Sequence, residues 1–292
     1  MAIITISRGS YTRGKEIAEE VAQNLGYRCI SREVLLQASK DFDIPEIKLM
    51  QAIKDAPSFL DRVSHGREKY IAYIQAALLN QLKEDNVLYH GFASNFFVAD
   101  IPMVLRIRIL AEMGDRIKLL MDRENMSRKD ALRMINKVDE QRIKWGKKLY
   151  GINPGDPAQH DLVLHIDRIT KEDAVDTICR LAEKEQFQTT PDFKKVLADL
   201  AIAAEVRAFL VGVKPRAEVC IDNGYVTLKT EVPVSEESDL VKSLGDIVQK
   251  VPGVKGINVE TQKHPDDKYV CLTEPGSGSR QDVASTYFTE TG

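Results

Sequence analysis

The chain has 292 residues, long enough on ordinary length priors for about two domains, each with its own core. With 43% hydrophobic and 29% charged residues and a formal net charge of -3, it has the composition of an ordinary soluble protein and not that of a general nucleic-acid or membrane-surface binder, so partners belong at local sites. Four cysteines, Cys29, Cys179, Cys220 and Cys271, lie far apart without C-x-x-C spacing, which suggests neither a zinc cluster nor a disulfide framework and fits a reducing cytoplasm. The start lacks a basic leader region and no apolar run is long enough to span a bilayer, so neither a signal peptide nor a transmembrane segment is expected.

In chain order, Ala2-Ile-Ile-Thr-Ile6 reads as a buried strand, and Gly9-Ser-Tyr-Thr-Arg-Gly14-Lys15 follows it with the G-x-x-x-x-G-K spacing of a phosphate-binding loop. Such a loop needs glycines because its backbone N–H groups must wrap an anion closely, with the positive end of the next helix facing the same phosphates. Gly9, Ser10, Thr12, Arg13, Gly14, Lys15 and Glu16 are the candidate donor-binding residues, with Lys15 reaching the outer phosphates. Glu16 stands where many such loops place a Ser or Thr hydroxyl on magnesium. The same two glycines also suit a plain strand-to-helix turn.

Ile17, Ala18, Val21, Ala22 and Leu25 recur at helical spacing before Gly26, which predicts a helix from about Gly14 to Leu25 with a glycine stop. A short strand near Arg28 to Ile30 follows, then a mostly helical stretch from Arg32 to Glu84, and then strands at Asn86 to His90 and Met103 to Leu110. Helices are expected from Glu112 to Asp122 and from Ser127 to Trp145, the latter capped by Ser127, then a strand Asp161 to Ile166 and a helix Lys171 to Glu185. Strands alternating with helices imply an α/β fold with a parallel, doubly wound sheet flanked by helices.

A polar Thr-Thr-Pro break at 187–193 reads as a linker between domains at 1–186 and 194–261. A helix from Phe193 to Leu210 leads to two alternating runs, Glu218 to Asp222 and Tyr225 to Thr230, joined by the hairpin signal Asn223-Gly224. A helix from Ser235 to Gln249, with Ser235 or Ser238 as cap, and a strand Val254 to Glu260 complete a small α+β module. The tail, 262–292, is rich in Gly, Ser, Thr and Asp, and no fixed structure is expected there.

A triphosphate on the loop requires further cations to meet the charge of the transferring group. Lys137, Asp139, Arg142 and Lys144 are close in sequence and suit a mobile basic lid, although the same spacing also describes a solvated helix face. The five histidines share no ligand spacing and receive no role, and no protein metal site is expected.

On these residues the chain resembles the cytidylate kinase-like proteins of the P-loop nucleoside monophosphate kinase group, over about residues 2–185. The resemblance is carried by Ile3-Ile-Thr-Ile-Ser7-Arg8, the loop running into Gly14-Lys15-Glu16-Ile17-Ala18, the strand end Leu-Tyr-His-Gly91, the Lys137-x-Asp139-x-x-Arg142 pattern, and Gly155-Asp156-Pro157 before Asp161-Leu-Val. It implies a kinase with ATP and Mg2+, the metal held largely through water, with Lys15, Asp139 and Arg142 as catalytic residues and Lys137 in the lid. It also implies a small phosphate acceptor covered by the region between Ser31 and Glu84. The family commonly has an Asp and an Arg where this chain has Ser31 and Phe92, so either the acceptor is not CMP or other cations hold it, with Arg8, Arg32, Arg106, Arg108 and Lys137 as candidates. Residues 194–261 resemble a BON domain, a small module known mostly for binding membranes, lipids or other ligands, and imply an unknown ligand or protein partner and possible homo-oligomer formation. A nucleotide-binding regulatory protein without turnover is the alternative reading.

Overall fold

The computed structural model describes residues 2–54, 66–91, 94–99, 101–214, 217–230, 237–260 and 270–272. They divide into two compact units, one made of 1–33, 53–56 and 84–189, the other of 34–52, 57–83 and 190–292.

The first unit is built on five parallel strands, β1 (Ile3–Arg8), β2 (Arg28–Ile30), β3 (Val87–His90), β4 (Val104–Ala111) and β5 (Leu162–Ile166), in the order β2-β3-β1-β4-β5. The near-continuous apolar character of β1 and β3 follows from a position covered on both faces, and every residue of β3 is buried. Helix α1 (Gly14–Leu25) buries Ile17, Ala18, Val21 and Ala22 in the main core with Ile4, Ile6, Leu105, Ile107 and Ile178. Gly26 ends the helix in the left-handed region at φ 67, where its N–H reaches the Ala22 and Gln23 carbonyls, as a glycine stop requires.

The register of β1 against β4 positions the site. Ser7 lies opposite Arg108 and Arg8 opposite Ile109, so the end of β1 and the charged face of β4 arrive at one place. Helix α6 (Met113–Glu124) and the 23-residue α7 (Arg128–Tyr150) follow β4, and Ser127 caps α7 by accepting from the Asp130 N–H at 3.2 Å. Helix α8 (Lys171–Ala182) opens on a capping box between Thr170 and Asp173. The four-residue helix α5 (Ser94–Phe97) follows β3, while Phe92 lies outside the described residues.

In the second unit, α2 (Glu33–Asp41), α3 (Glu46–Lys54) and α4 (Gly66–Leu82) account for the helical content expected between Arg32 and Glu84, with the ends of α2 and α3 falling across the division between units. Helix α9 starts at Pro191 and runs to Leu210, two residues earlier than the sequence pattern suggests, because Thr190 caps it and Pro occupies its first position. Phe42 stacks on Tyr73 with ring centroids 4.1 Å apart, and Asn80 donates to Glu205 at 3.3 Å, so α4 and α9 belong to one core.

The strands β6 (Glu218–Asp222) and β7 (Tyr225–Lys229) form the expected hairpin, and α10 (Glu237–Val248) leads to β8 (Gly256–Glu260), parallel to β7. Ser235, a proposed cap, lies outside the described residues. At the hairpin tip Asn223 and Gly224 take φ 48 and 84, and the Asp199 carboxylate of α9 accepts both of their N–H groups at 2.8 and 3.0 Å.

Two expectations are corrected. Val270–Leu272, in the stretch expected to be unstructured, forms β9 antiparallel to β6, where a short apolar run completes the edge that β6 otherwise leaves open. The remainder of the tail lies outside the described residues. Cys220 is disulfide-bonded, whereas no disulfide was suggested by the spacing. Its register partner across β6 and β9 is Cys271, a juxtaposition that strand pairing creates and sequence separation hides. Cys29 and Cys179 are free thiols.

Candidate active site

The phosphate-loop segment leaves β1 through Gly9, whose N–H donates to the Ile109 carbonyl at 3.0 Å. Tyr11 takes φ 54, and the Thr12 hydroxyl donates to the Gly9 carbonyl at 3.4 Å while accepting from the Gly14 N–H at 3.3 Å. Helix α1 starts at Gly14, whose N–H is taken by the Thr12 hydroxyl, and Arg13 at its N-cap makes no side-chain cap; a helix start of this kind is what an anion site uses. A Cβ on Gly14 would lie 3.0 Å from Cβ and 3.1 Å from Cδ of Arg8, which is why glycine stands there: the Arg8 stem packs over the helix start.

A cavity of about 180 Å³ opens beside this loop. Arg8, Arg108, Arg116 and Arg142 line it together with Asp139, the polar Ser7, Asn95 and Gln159, and the apolar Phe96 and Pro154. Its floor depends on aromatic packing: Phe96 stacks on Tyr150 at 4.9 Å and meets the fully buried Trp145 at 5.6 Å.

The charges are arranged in two groups. Asp139 of α7 accepts from the Ser10 hydroxyl at 2.6 Å and from Arg116, whose Nε also donates to the Ser10 carbonyl at 2.8 Å. Arg142, one turn further along α7, donates to the Arg8 carbonyl at 3.0 Å. Burial pushes the Arg142 guanidinium down to about 10, against the pull of Asp139, and it holds Arg8 and Arg108 below their ordinary value as well. With one carboxylate among four guanidinium groups, the cavity is a strongly cationic, partly desolvated pocket suited to polyanions.

On the far side, His160 is buried and its Nδ1 faces the Asp156 carbonyl at 3.1 Å. A carbonyl only accepts, so Nδ1 carries the proton, and Nε2 accepts from the Ser7 hydroxyl at 3.1 Å. Burial, then the nearby Arg108, pushes His160 down to about 4, so the ring is neutral at ordinary pH.

The structure brings together Arg8, Gly9, Ser10, Arg108, Asp139 and Arg142 from the sequence expectations. It does not bring the others to the cavity. Lys15 is exposed and pairs with Glu19 at 3.5 Å, and Arg13 and Glu16 are exposed beside it. Arg106 forms a two-pronged pair with Asp161 at 2.9 and 3.2 Å that fastens the start of β5, so it is committed to the sheet. Arg32 and Lys137 are exposed and away from the cavity lining. Ser31 donates its N–H to Glu33 at 2.7 Å. In place of a detached basic lid, the Asp139 and Arg142 stretch is part of a continuous helix tied to the loop, with Lys144 paired to Glu140 at 2.6 Å.

Residues 3–168 match the model of the cytidylate kinase-like family. The chain belongs to that family. No curated protein matches the sequence. Solved structures with a similar arrangement include an uncharacterized protein from Eubacterium ventriosum ATCC 27560, at 21% identity over 62% of this chain and 97% of that one, with a TM-score of 0.46. A shikimate kinase from Bacteroides thetaiotaomicron is 13% identical over 63% and 99% of the two chains with a TM-score of 0.39, and a gluconokinase from Sinorhizobium meliloti 1021 is 15% identical over 65% and 98% with a TM-score of 0.38.

Sequence reasoning on this cytidylate kinase-like chain missed Arg116 and His160 and gave Arg108 only as one of several cations. The cue for Arg116 was a cation at the start of the helix after a central strand; His160 carried no local signal.

Proposed function

We propose that the chain transfers the γ-phosphoryl group of ATP to a nucleoside monophosphate or similar small acceptor. The observation that carries this is the convergence of Arg8, Arg108, Arg116 and Arg142 beside a glycine loop and an uncapped helix start. Family membership supports the same reaction class. In this reading the loop N–H groups between Gly9 and Gly14 hold the donor phosphates, Lys15 swings from Glu19 to the outer phosphates, and Arg142 meets the charge that spreads over the transferring oxygens. The bond from the γ-phosphorus to its bridging oxygen breaks, an acceptor oxygen, either an ionised phosphate oxygen or a hydroxyl that releases its proton to water, bonds to that phosphorus, and ADP leaves.

Among the described residues no group of three or more carboxylate, histidine or cysteine side chains is placed to hold a metal, and Asp139 is already engaged by Arg116 and Ser10. Mg2+ would be carried by the ATP phosphates and water and would supply charge neutralisation there.

One observation favours the alternative of a nucleotide-binding regulator without turnover: Lys15 is exposed and turned to Glu19. ADP release with ATP and Mg2+ against a panel of nucleoside monophosphates, beside Lys15→Ala and an ATP titration, separates the two. Acceptor-dependent turnover lost in Lys15→Ala supports the kinase, and tight ATP binding without turnover supports the regulator.

We further assign the kinase domain to 1–186 and a BON-like module to 194–261, whose helix–strand–strand–helix–strand order supports the resemblance. We also assign the protein to the cytoplasm, where an ATP donor is available; no described helix is long and apolar enough to cross a membrane.

A further inference from the structure

The hydroxyls of Ser7, Ser10 and Thr12 lie in and beside the phosphate-loop segment, each in different chemical company. Thr12 is bonded within the loop, to the Gly9 carbonyl and the Gly14 N–H. Ser10 donates to Asp139 at 2.6 Å and accepts from Arg116 Nη2 at 2.6 Å, and that carboxylate shares its charge with the same guanidinium. Ser7, near the end of β1 and lining the cavity, donates instead to an imidazole, His160 Nε2, at 3.1 Å. On the other side of that ring Nδ1 donates to the Asp156 carbonyl at 3.1 Å.

A hydroxyl, a base and a group that orients the base, bonded in series, are the constellation by which a serine becomes a nucleophile. His160 is buried and uncharged, so its Nε2 lone pair accepts the hydroxyl hydrogen at ordinary pH. The surroundings suit the product as well as the nucleophile. Arg108 Nη1 lies 3.5 Å from the Ser7 oxygen, and Arg8 and Arg142 line the same cavity of about 180 Å³, so a phosphate ester on Oγ finds its counter-charges in place. Ser7 also stands just before Gly9, which makes nucleophile and loop one continuous segment. Phosphoryl transfer passes through a loose transition state in which the attacking oxygen keeps its proton until late, so the orientation His160 imposes matters more than its strength as a base.

We propose that Ser7 is a phosphoryl acceptor within the chain itself, taking the γ-phosphoryl group of ATP bound at the loop with His160 as its general base. The bond from Ser7 Oγ to the γ-phosphorus forms as the bond from that phosphorus to its bridging oxygen breaks, the hydroxyl proton passes to His160 Nε2, and ADP leaves. The donor rests on the kinase reading of the cavity; the addition is a modification site and an activity that needs no second substrate.

The test is incubation of the full chain with ATP and Mg2+ and no acceptor, with phosphate located by peptide mapping, beside a titration with the non-hydrolysable analogue AMP-PNP. The wild type gains one phosphoryl group at Ser7, at a rate independent of protein concentration because donor and acceptor share one cavity. Ser7→Ala loses that gain. His160→Leu slows it about 100-fold, the ordinary share of a general base. His160→Gln keeps an acceptor for the Ser7 hydrogen bond but takes no proton, and is expected to be as slow; a wild-type rate in this variant leaves His160 a structural role and overturns the proposal. Phosphate on Ser10 instead of Ser7, or none while AMP-PNP binds, also overturns it and leaves the kinase reading standing. If AMP-PNP does not bind, the kinase reading fails separately, and acetyl phosphate, which needs no nucleotide site, decides Ser7: label there that His160→Leu abolishes supports the nucleophile, and no label overturns it.

Discussion

Arg142 Nη1 donates to the backbone carbonyl of Arg8 at 3.0 Å, so a side chain of α7 holds the main chain where β1 becomes the phosphate loop. The bond couples the expected transition-state cation to the geometry of the donor site. Arg142→Ala is expected to lower kcat about 100-fold to 1,000-fold, as loss of one electrostatic donor does, with a much smaller change in nucleotide Kd. Arg142→Lys should recover little, since an ammonium cannot serve the carbonyl and a phosphate in the same planar arrangement. Steady-state ADP release and AMP-PNP titration check both; small and equal losses on both measures overturn the assignment.

Asp139 anchors the start of the loop itself by accepting from Ser10 and Arg116 together. Asp139→Asn leaves the mostly buried Arg116 guanidinium without its carboxylate and is expected to cost about 2 kcal/mol in unfolding free energy. ATP KM should rise with it, because Ser10 is released. Urea unfolding and the KM against kcat split measure the two effects.

Two buried histidines set an acid limit. His160, beside Arg108, Arg106, Asp156 and Asp161, and His90, beside Arg8, Lys15 and Glu33, are each pushed down to about 4, chiefly by burial. A histidine with a depressed folded value takes up its proton in the unfolded chain first. Its contribution is therefore complete above about pH 6.5 and is lost as pH falls from 6.5 toward 4. Each is worth on the order of 3 kcal/mol at full shift. Urea midpoints measured from pH 7.5 to 4 should fall across that window, and His160→Gln should flatten part of the slope. A midpoint independent of pH there contradicts the neutral, buried state of both rings.

Gly146 lies inside α7, where Ala normally stabilises by about 1 kcal/mol. Here the sign should reverse. A Cβ would sit 2.8 Å from the Ile152 carbonyl oxygen and 2.9 Å from both Phe96 Cζ and Pro154 Cδ. Gly146→Ala is expected to destabilise by about 1–3 kcal/mol and to disturb the apolar wall of the cavity. Thermal unfolding with nucleotide-dependent protection reads both.

In the second unit the Asp199 carboxylate holds the N–H groups of Asn223 and Gly224. Asp199→Ala should cost about 1–2 kcal/mol and loosen the hairpin tip. Hydrogen exchange at Asn223 and Gly224 should accelerate, with the amides of β1 and β3 unaffected.

The elements were legible in the sequence wherever one local rule decided them: the Ile3 to Ile6 run, the helical stripe from Ile17 to Leu25 with Gly26, and Asn223-Gly224. The glycine loop between β1 and α1 was legible for the same reason, since Gly9, Gly14 and Lys15 belong to one short motif. The far side of the cavity was not. Arg108 faces Ser7 only through the β1–β4 register, and His160 reaches Ser7 across 153 positions through the short turn Pro157–Gln159. Arg106 and Arg108 share one face of β4, so alternation alone could not tell that Asp161 claims Arg106 and leaves Arg108 to the cavity. Strand β9 and the bonded state of Cys220 were hidden likewise, because three residues in a polar tail give no period and their partner lies about fifty positions away.

The two free thiols provide a clock for one half of the molecule. Cys29 and Cys179 both lie in the first unit and pack against its core, and burial pushes Cys29 up to about 11 and raises Cys179. At neutral pH little thiolate is present at either half-buried position, so alkylation there is slow and rises when the surrounding strands and helices open. Mass gain with iodoacetamide, located at Cys29 and Cys179 by peptide mapping, thus reports on the first unit, and ligands that slow it can be ranked without any knowledge of the reaction they take part in.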